Sequence, residues 1–416
     1  MKNKLFLLYL VVFSLYNSQS FGQTVKAEAE IRSRGEYRDG FREPLINTLN
    51  ASYVNNLRTK LNLFYGSRDV IAKLTLLDAR TYGGTEAGKT GNGTGILEAW
   101  GEYGLTPEFS FAIGRQGLEY DDKRLFSYND WNNTPGAHDL LLLKYKTQGL
   151  TVHIGSAYNN SGDSILFSAP YTLSYKTLNY IWLHKEFSKI SASVLWVNDG
   201  FERGSTKHIE KIYRNTVGGN LRLTDKESAF TFKASGYYQF GHDKSDKSLR
   251  AYLLSATAQK YLPEKWSVQA GGDIFSGSKY DIATDKSNTF NKLYGTNHAF
   301  NGSIEYWGTL PAQGLIDLYI GATAKISSKI DANLTFHKFS TAREINQNGN
   351  TNAGSEIDIT ANYNVNRQFS LQGGWSSYFT TKGTDILKKK TGVDTRFPQW
   401  AYIQLTFKPS FFDKEL

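Results

Sequence analysis

From Val25 to Arg38 the chain alternates with a period of two. Lys26, Glu28, Glu30, Arg32, Arg34, Glu36 and Arg38 fall on one face, and Val25, Ala27, Ala29, Ile31 and Tyr37 on the other. An extended strand sends successive side chains to opposite sides, so this pattern lines up a row of charges against an apolar row. Ionised groups in such density cannot be buried in an ordinary core. The charged face must meet water, and the other face must meet something apolar.

The same pattern recurs along the chain. Arg58, Lys60 and Asn62 oppose Leu57, Leu61 and Leu63, while Arg214, Thr216, Asn220 and Arg222 oppose Tyr213, Val217, Leu221 and Leu223. Thr231, Lys233, Ser235, Tyr237 and Gln239 oppose Phe230, Phe232, Ala234, Tyr238 and Phe240. Glu356, Asp358, Thr360, Asn362 and Asn364 oppose Ile357, Ile359, Ala361, Tyr363 and Val365. Runs of ten or more residues suit a tilted transmembrane strand of about 9 to 11 residues better than a globular strand of about 5 to 6. The expected fold is all-β: a transmembrane antiparallel β-barrel of about 18 strands, polar inside and apolar outside, with short periplasmic turns and longer external loops.

Brief turns occur at 66–68, 106–108, 147–149, 187–189, 224–227, 262–264, 327–329 and 366–367, with longer Gly-, Asn- and Asp-rich stretches between them. Counting every alternating segment gives nineteen strands, and a barrel with both ends in the periplasm needs an even number. The segment Asn297 to Gly314 would place a short turn on the wrong side, so Gly277 to Gln313 is assigned to one long external loop. Lipid offers no partner for an unpaired backbone group, so the last strand, Gln399 to Lys408, must pair with the first, Thr24 to Tyr37. Beyond it the chain continues through Pro409 to Leu416.

Lys2 and Lys4 precede an apolar run from Leu5 to Leu15, and Ser20, Phe21 and Gly22 resemble a cleavage site. This reads as a signal peptide over residues 1–22, because the run is shorter than the ~20 residues of a bilayer-spanning helix. Residues 23–416 form a single barrel domain, since no shift in composition marks a linker. After removal of the leader, 46 Lys and Arg (48 less Lys2 and Lys4) face 39 Asp and Glu, a net charge of +7 that gives no ground for nucleic-acid binding. With no Cys there is neither a disulfide framework nor a thiolate metal site.

The densest polar cluster is GRQGLEYDDKRLFSYNDW, Gly114 to Trp131. Asp121, Asp122 and Asp130 near Lys123 and Arg124 lack the alternating oxygens and turn glycine of a calcium loop. The seven histidines form no HExxH pair, and no GxSxG elbow or Walker loop occurs. No cofactor or metal is expected, and the chain is not expected to be an enzyme. A barrel-embedded hydrolase using His153 or His337 is a weak alternative, and these side chains read better as luminal or interface groups. Alternation places Lys26, Arg32, Arg34, Arg58, Lys60, Arg214, Arg222, Lys233, Arg250, Lys325 and Lys408 in the lumen, offset by Glu28, Glu30, Glu36, Glu98, Glu102, Asp273, Asp317, Glu356 and Asp358. Rings of Arg and Lys favour anions, whereas a mutually neutralising ladder would only keep the lumen wet and stiff.

The segment EAWGEYGLTPEFSFAIGRQGLEYDDKRLFSYNDWNNTPGAHDLLLLKY resembles the alginate export family of outer-membrane barrels through Gly114, Arg115, Gln116, Asp122, Arg124, Leu125, Trp131 and Asp139. HAFNGSIEYW, GLIDLYIGATAKI, HKF at His337 to Phe339 and GSEIDITANYNVNRQFSLQGGWSSYF continue the resemblance in order over most of the chain. It implies an eighteen-stranded barrel passing an anionic polysaccharide or its fragments through an arginine-lined constriction. Arg115 and Arg124 would be the selectivity residues, and Asp139 and Asp317 their acidic orienters. Unlike relatives with an extended periplasmic gating loop, every inferred periplasmic turn here is short.

The expected function is therefore an outer-membrane channel for an alginate-like polymer or acidic oligosaccharides in a Gram-negative bacterium. A weakly selective general diffusion porin is the alternative. Expected partners are outer-membrane lipid, the acidic saccharide, the outer-membrane assembly machinery and periplasmic polysaccharide partners. Strict alternation turns Gln116, rather than Arg115, to the lumen. Arg115 therefore requires a bulge at Gly114 or a place above the lipid band, with loop Gly117 to Ala137 folding in or over the pore and bringing Arg124 toward the same lumen.

Overall fold

The computed structural model describes residues 22–84, 94–163, 169–283 and 285–415. Apart from Gly22, the leader expected at 1–22 lies outside them. The first half of the barrel wall comprises β1 (Thr24–Asp39), β2 (Ser52–Gly66), β3 (Val70–Thr81), β4 (Thr94–Gly104), β5 (Phe109–Gln116), β6 (His138–Thr147), β7 (Leu150–Tyr158), β8 (Thr177–Glu186) and β9 (Ile190–Ser205). It continues with β10 (His208–Asp225), β11 (Phe230–His242), β12 (Ser248–Tyr261), β13 (Trp266–Phe275), β15 (Leu315–Lys325), β16 (Ile330–Ser340), β17 (Asn352–Asn364), β18 (Phe369–Phe379) and β19 (Gln399–Phe407). The two-residue β14 (Lys286–Ser287) lies in the connection from β13 to β15 and pairs with β12, and β20 (Ser410–Glu415) ends the chain.

Each wall strand pairs antiparallel with its neighbours, and β1 pairs with both β2 and β19, closing a ring of 18 strands. The seam runs from Ile31 opposite Phe407 to Asp39 opposite Gln399. The C-terminal tail also takes part: β20 pairs Thr24 with Glu415 through Glu28 with Ser410 after a register shift, and Ala29 N donates to the Pro409 carbonyl (3.0 Å). Proline has no N–H to give a ladder, and here it marks the break between β19 and β20. The whole length of β1 is thus covered, the upper part by β19 and the lower part by β20.

The eight short turns fall where the sequence places them, and they define the periplasmic end. At the opposite end the connections are less uniform than expected. β9 and β10 meet across residues 206–207 alone, because these strands themselves run for 16 and 18 residues. The segment 276–314 is the long connection predicted, but it is not an external loop. It enters the barrel, where Ile304, Tyr306 and Trp307 are almost wholly buried.

The wall is inverted relative to a water-soluble protein. On β15 the Asp317 carboxyl is 0% exposed and Ile320 is 63% exposed, as expected where lipid covers the outer face. Exposed aromatics ring both ends: Tyr103, Phe109, Tyr261, Trp266 and Phe407 near the short turns, and Tyr53, Tyr158 and Phe379 near the loops. They occupy the girdle positions at which amphipathic rings meet the interface.

Polar-inside alternation fails in one region. On β6, β8, β9 and β12 the inward residues Leu140, Leu142, Leu178, Leu195, Val197, Leu249 and Leu253 are apolar and buried. They pack with Leu118, Tyr120, Leu125, Phe126 and Phe290 of the two inward loops, forming a hydrophobic core within the barrel. The Leu140–Leu143 run now has a reason: alternate leucines serve this inner core and the outer wall, where Leu141 and Leu143 are exposed.

Candidate functional site

Loop 117–137 folds into the lumen and is held at both ends. On the β1–β2 side, arginines that alternation aims inward meet its backbone. Arg32 donates to the carbonyls of Asp130 (2.6 Å), Trp131 (3.1 Å) and Asn132 (2.9 Å). Arg34 reaches the Trp131 carbonyl (3.0 Å), and Arg58 those of Asp130 (2.8 Å) and Asn132 (2.9 Å). The Asp130 carboxylate accepts from Lys60 (2.9 Å) and Arg58 (3.1 Å). Burial opposes ionisation of Asp130, yet Arg58 and Lys60 hold its carboxyl below the usual range.

The other end of the loop crosses to the opposite wall. Asp121 accepts from Trp182 Nε1 (2.9 Å) and Ser193 Oγ (2.6 Å), and burial raises its pKa. Asp122 accepts from Ser235 Oγ (2.6 Å) and from Arg124 Nε (3.0 Å). Arg124 then makes a two-pronged contact with Asp273 on β13, at 2.7 and 2.8 Å. Burial alone would lower its pKa, but Asp273 and Asp122 outweigh burial and hold the guanidinium above its ordinary value.

Loop 276–314 is latched through its backbone N–H groups by carboxylates of β17, with an ion pair from Arg42 added. Ile304 N donates to Glu356 Oε1 (2.8 Å) and Ser303 N to Asp358 Oδ2 (3.1 Å), both on β17. Gly302 adopts φ +86°, and a Cβ there would run into the Glu356 carboxylate, so the close approach requires glycine. Trp307 Nε1 donates to Tyr378 (3.1 Å), and Arg42 binds Glu305 (2.6 Å). Burial opposes ionisation of Glu305, but His298 and Arg42 keep its carboxyl below the usual range.

The loops also hold one another. Ser127 N donates to the Tyr294 carbonyl (3.0 Å) and Tyr294 N to that of Leu125 (2.9 Å). Trp131 stacks on His298 with centroids 3.8 Å apart and planes 6° apart, and the Arg34 guanidinium lies 4.2 Å from the Trp131 ring. Wall arginine, first loop and second loop therefore form one stack.

The expected site residues divide in two. Arg32, Arg34, Arg58, Arg214, Arg222, Lys233, Asp317 and Glu356 face the lumen, and loop 117–137 brings Arg124 into it. Three others do not line the pore. Arg115 and Asp139 alternate away from the luminal side near the loop ends of β5 and β6, directly opposite in register and bonded to each other at 2.7 Å, and border a cleft at the mouth with Asn132, Tyr175 and Tyr294. Gly114 does take φ +123°, but alternation continues through it and Gln116 is the buried neighbour. Arg250 also points outward, because Leu249, Ala251 and Leu253 occupy the inner face of β12 against the loop core.

Arg214 grips Asp199 (3.0 Å from Nε), to which Tyr294 also donates (3.1 Å). Asp317 does not orient Arg124: it accepts from His337 Nδ1 (2.9 Å), and Asp273 is the partner of Arg124. The other His337 nitrogen lies 3.6 Å from Asp358, so carboxylates flank the ring on both sides. Asp130, Trp131 and His298 were not singled out for the lumen by alternation. Their positions depend on contacts between loops far apart in sequence, which strand periodicity does not encode.

A closed barrel with an apolar wall, a polar lumen, short turns at one end and inward-folded loops from the other is an outer-membrane channel of the porin class. Solved structures of that class share the fold. The chain superposes on OccAB4 of Acinetobacter baumannii with a TM-score of 0.65 at 11% identity, covering 94% of this chain and 99% of that one. It is similar to OccK3 (OpdO) of Pseudomonas aeruginosa with a TM-score of 0.63 at 13% identity, covering 93% and 96%. OccK5 (OpdH) of the same organism gives 0.62 at 12%, covering 93% and 98%. No curated protein matches the sequence. The alginate export family matches residues 19–381, and the chain belongs to that family. It is an outer-membrane channel of a Gram-negative bacterium, not an enzyme.

Proposed function

We propose that the channel passes an alginate-like anionic polysaccharide or acidic oligosaccharides. The observation that carries this reading is a surplus of positive charge on the β1–β2 wall. Around the inward loop, Arg32, Arg34, Arg38, Arg58 and Lys60 gather with three carboxylates, Glu30, Glu36 and Asp130, while Lys26 and Glu28 of the same face lie nearer the short-turn end. The terminal nitrogens of Arg32 meet three carbonyls and the Asn133 side-chain oxygen (3.3 Å), which are neutral, and its Nε has no hydrogen-bond partner among the described residues, so its charge is not cancelled by contact. A low-dielectric wall of one sign enriches ions of the other, and uronate carboxylates suit guanidinium groups in charge and shape. The arginines have two effects on this account: hydrogen bonds position the constricting loop, while the remaining field attracts the acidic chain. Lipid around the wall, the assembly machinery and periplasmic polysaccharide proteins are the partners this function requires.

Flux into liposomes separates this reading from general diffusion. A tri-uronate should enter faster than its carboxyl-reduced, neutral counterpart of the same length, with the advantage shrinking as salt rises. Equal entry of the two at low salt would identify an unselective porin.

A further inference from the structure

Below the two loops, toward the short-turn end, lies a cavity of about 490 Å³ bounded by β11 to β17 and roofed by Arg124 and residues 298–303. Its volume falls within the range of small-ligand clefts, about 300 to 1,000 Å³. Lys233 lines it and stands directly opposite Arg222 in the β10–β11 register. Both face the lumen, on the side of the neighbouring Asn220–Ser235 pair, whose Ser235 hydroxyl donates to Asp122 of the inward loop (2.6 Å). Both are exposed, and neither has an ion-pair partner among the described residues. Like charges placed directly opposite destabilise a sheet, so this pair costs stability where most other luminal cations are neutralised or engaged with a loop.

Across the cavity the polar atoms have the opposite character. Asp358 Oδ1 and both polar atoms of the Asn301 side chain make no hydrogen bond of good geometry among the described residues, although the two residues are 4% and 1% exposed and lie beside the Glu356 and Asp317 carboxyls. Buried polar atoms are normally paired. Phe300 and Tyr319 add aromatic faces between the two sides. The other carboxylates lining the cavity are engaged: Asp121 by Trp182 and Ser193, Asp122 and Asp273 by Arg124, and Asp317 by His337.

We infer that this cavity is a binding site for one end of an acidic saccharide, with a sugar carboxylate on Arg222 and Lys233, hydroxyl groups on Asp358 and Asn301, and ring faces on Tyr319 and Phe300. The inference rests on the acidic-saccharide reading and adds a place and a side: a station on the periplasmic side of the constriction, separate from the β1–β2 arginines. Sugar hydroxyls are the donors that an unpaired carboxylate oxygen needs, whereas a ligand carboxylate is repelled there and directed to the cation pair.

The test uses the full barrel in planar bilayers of known orientation, with tri-uronate or its carboxyl-reduced form added to either side. Wild type should be blocked by the tri-uronate, more strongly from the short-turn side. The Arg222→Gln/Lys233→Gln double variant should lose that side's block by about tenfold or more in half-blocking concentration, the usual size for a lost charged hydrogen bond. Lys233→Arg should retain it, and Tyr319→Ala should weaken it with either cation present. Unchanged block in the double variant would overturn this site while leaving the acidic-saccharide reading standing. Absence of block in wild type from both sides would remove that reading and the site together. Removing two like charges relieves repulsion, so the double variant should fold, and heat-modifiable gel migration matching that of wild type would verify that.

Discussion

Arg124 shows how an arginine can belong to a constriction without being free to touch what passes. Its guanidinium is enclosed by Asp122 and Asp273 and lies 3.9 Å from the Phe300 ring, and almost none of the side chain is exposed. Arg124→Ala would leave Asp273 buried without its partner, a loss of about 3 to 5 kcal/mol for broken buried pairs. The variant should lose its folded, heat-modifiable gel migration at a lower temperature and show a larger, noisier conductance. Arg115→Ala should leave ion selectivity unchanged, because Arg115 is paired with Asp139 on the side away from the lumen. Asp130 and Glu305 supply the residue-scale pH dependence. Both loop carboxyls are held below their ordinary values, so their contribution is complete above the unfolded pKa, about 4. It is lost as pH falls through the lower, folded values. Single-channel recordings should therefore be steady near neutral pH, and release of these two fasteners should add loop noise only in the acid range below about 4.

At the scale of elements, the lumen is shaped by how two loops are fastened. Loop 117–137 offers carbonyls to arginines on β1 and β2, and loop 276–314 offers N–H groups to carboxylates on β17. The alternating charges of β1 and β17 therefore act as complementary fasteners as well as a wet lining. Gly302→Ala tests the second fastener alone, since a Cβ there would push the Glu356 carboxylate away and sits at an unfavourable φ. The expected result is a wider channel with normal barrel assembly. Unchanged conductance would mean that the Glu356 latch does not set the pore width.

For the molecule as a whole, the seam joins both chain ends. Deleting residues 410–416 would strip one edge of β1 of its partner from Thr24 to Glu28, leaving only the β2 side paired. Unpaired backbone beside lipid costs several kcal/mol per group, so the truncated barrel should assemble less efficiently and denature at a lower temperature. Strand number, closure and the short turns were legible because side-chain period and lipid contact act on each strand separately. The long connection before β15 was legible from parity, but its descent into the barrel was not. The leucines of β6, β8, β9 and β12 that receive the loops read in sequence as ordinary wall residues. Arg250 was misplaced for that reason, and Arg115 because the resemblance suggested a luminal role that alternation at Gln116 opposed. Asp273 could be placed in the lumen from its strand, but its pairing with Arg124 required knowing where loop 117–137 goes.

The most direct test of the central claim is the zero-current potential of the wild-type channel across a salt gradient, measured at low ionic strength and repeated with Arg32→Gln. Anions should be preferred in wild type, and the preference should fall when Arg32, a wall arginine without a carboxylate contact among the described residues, loses its charge. A cation preference, or no preference in wild type, would contradict it.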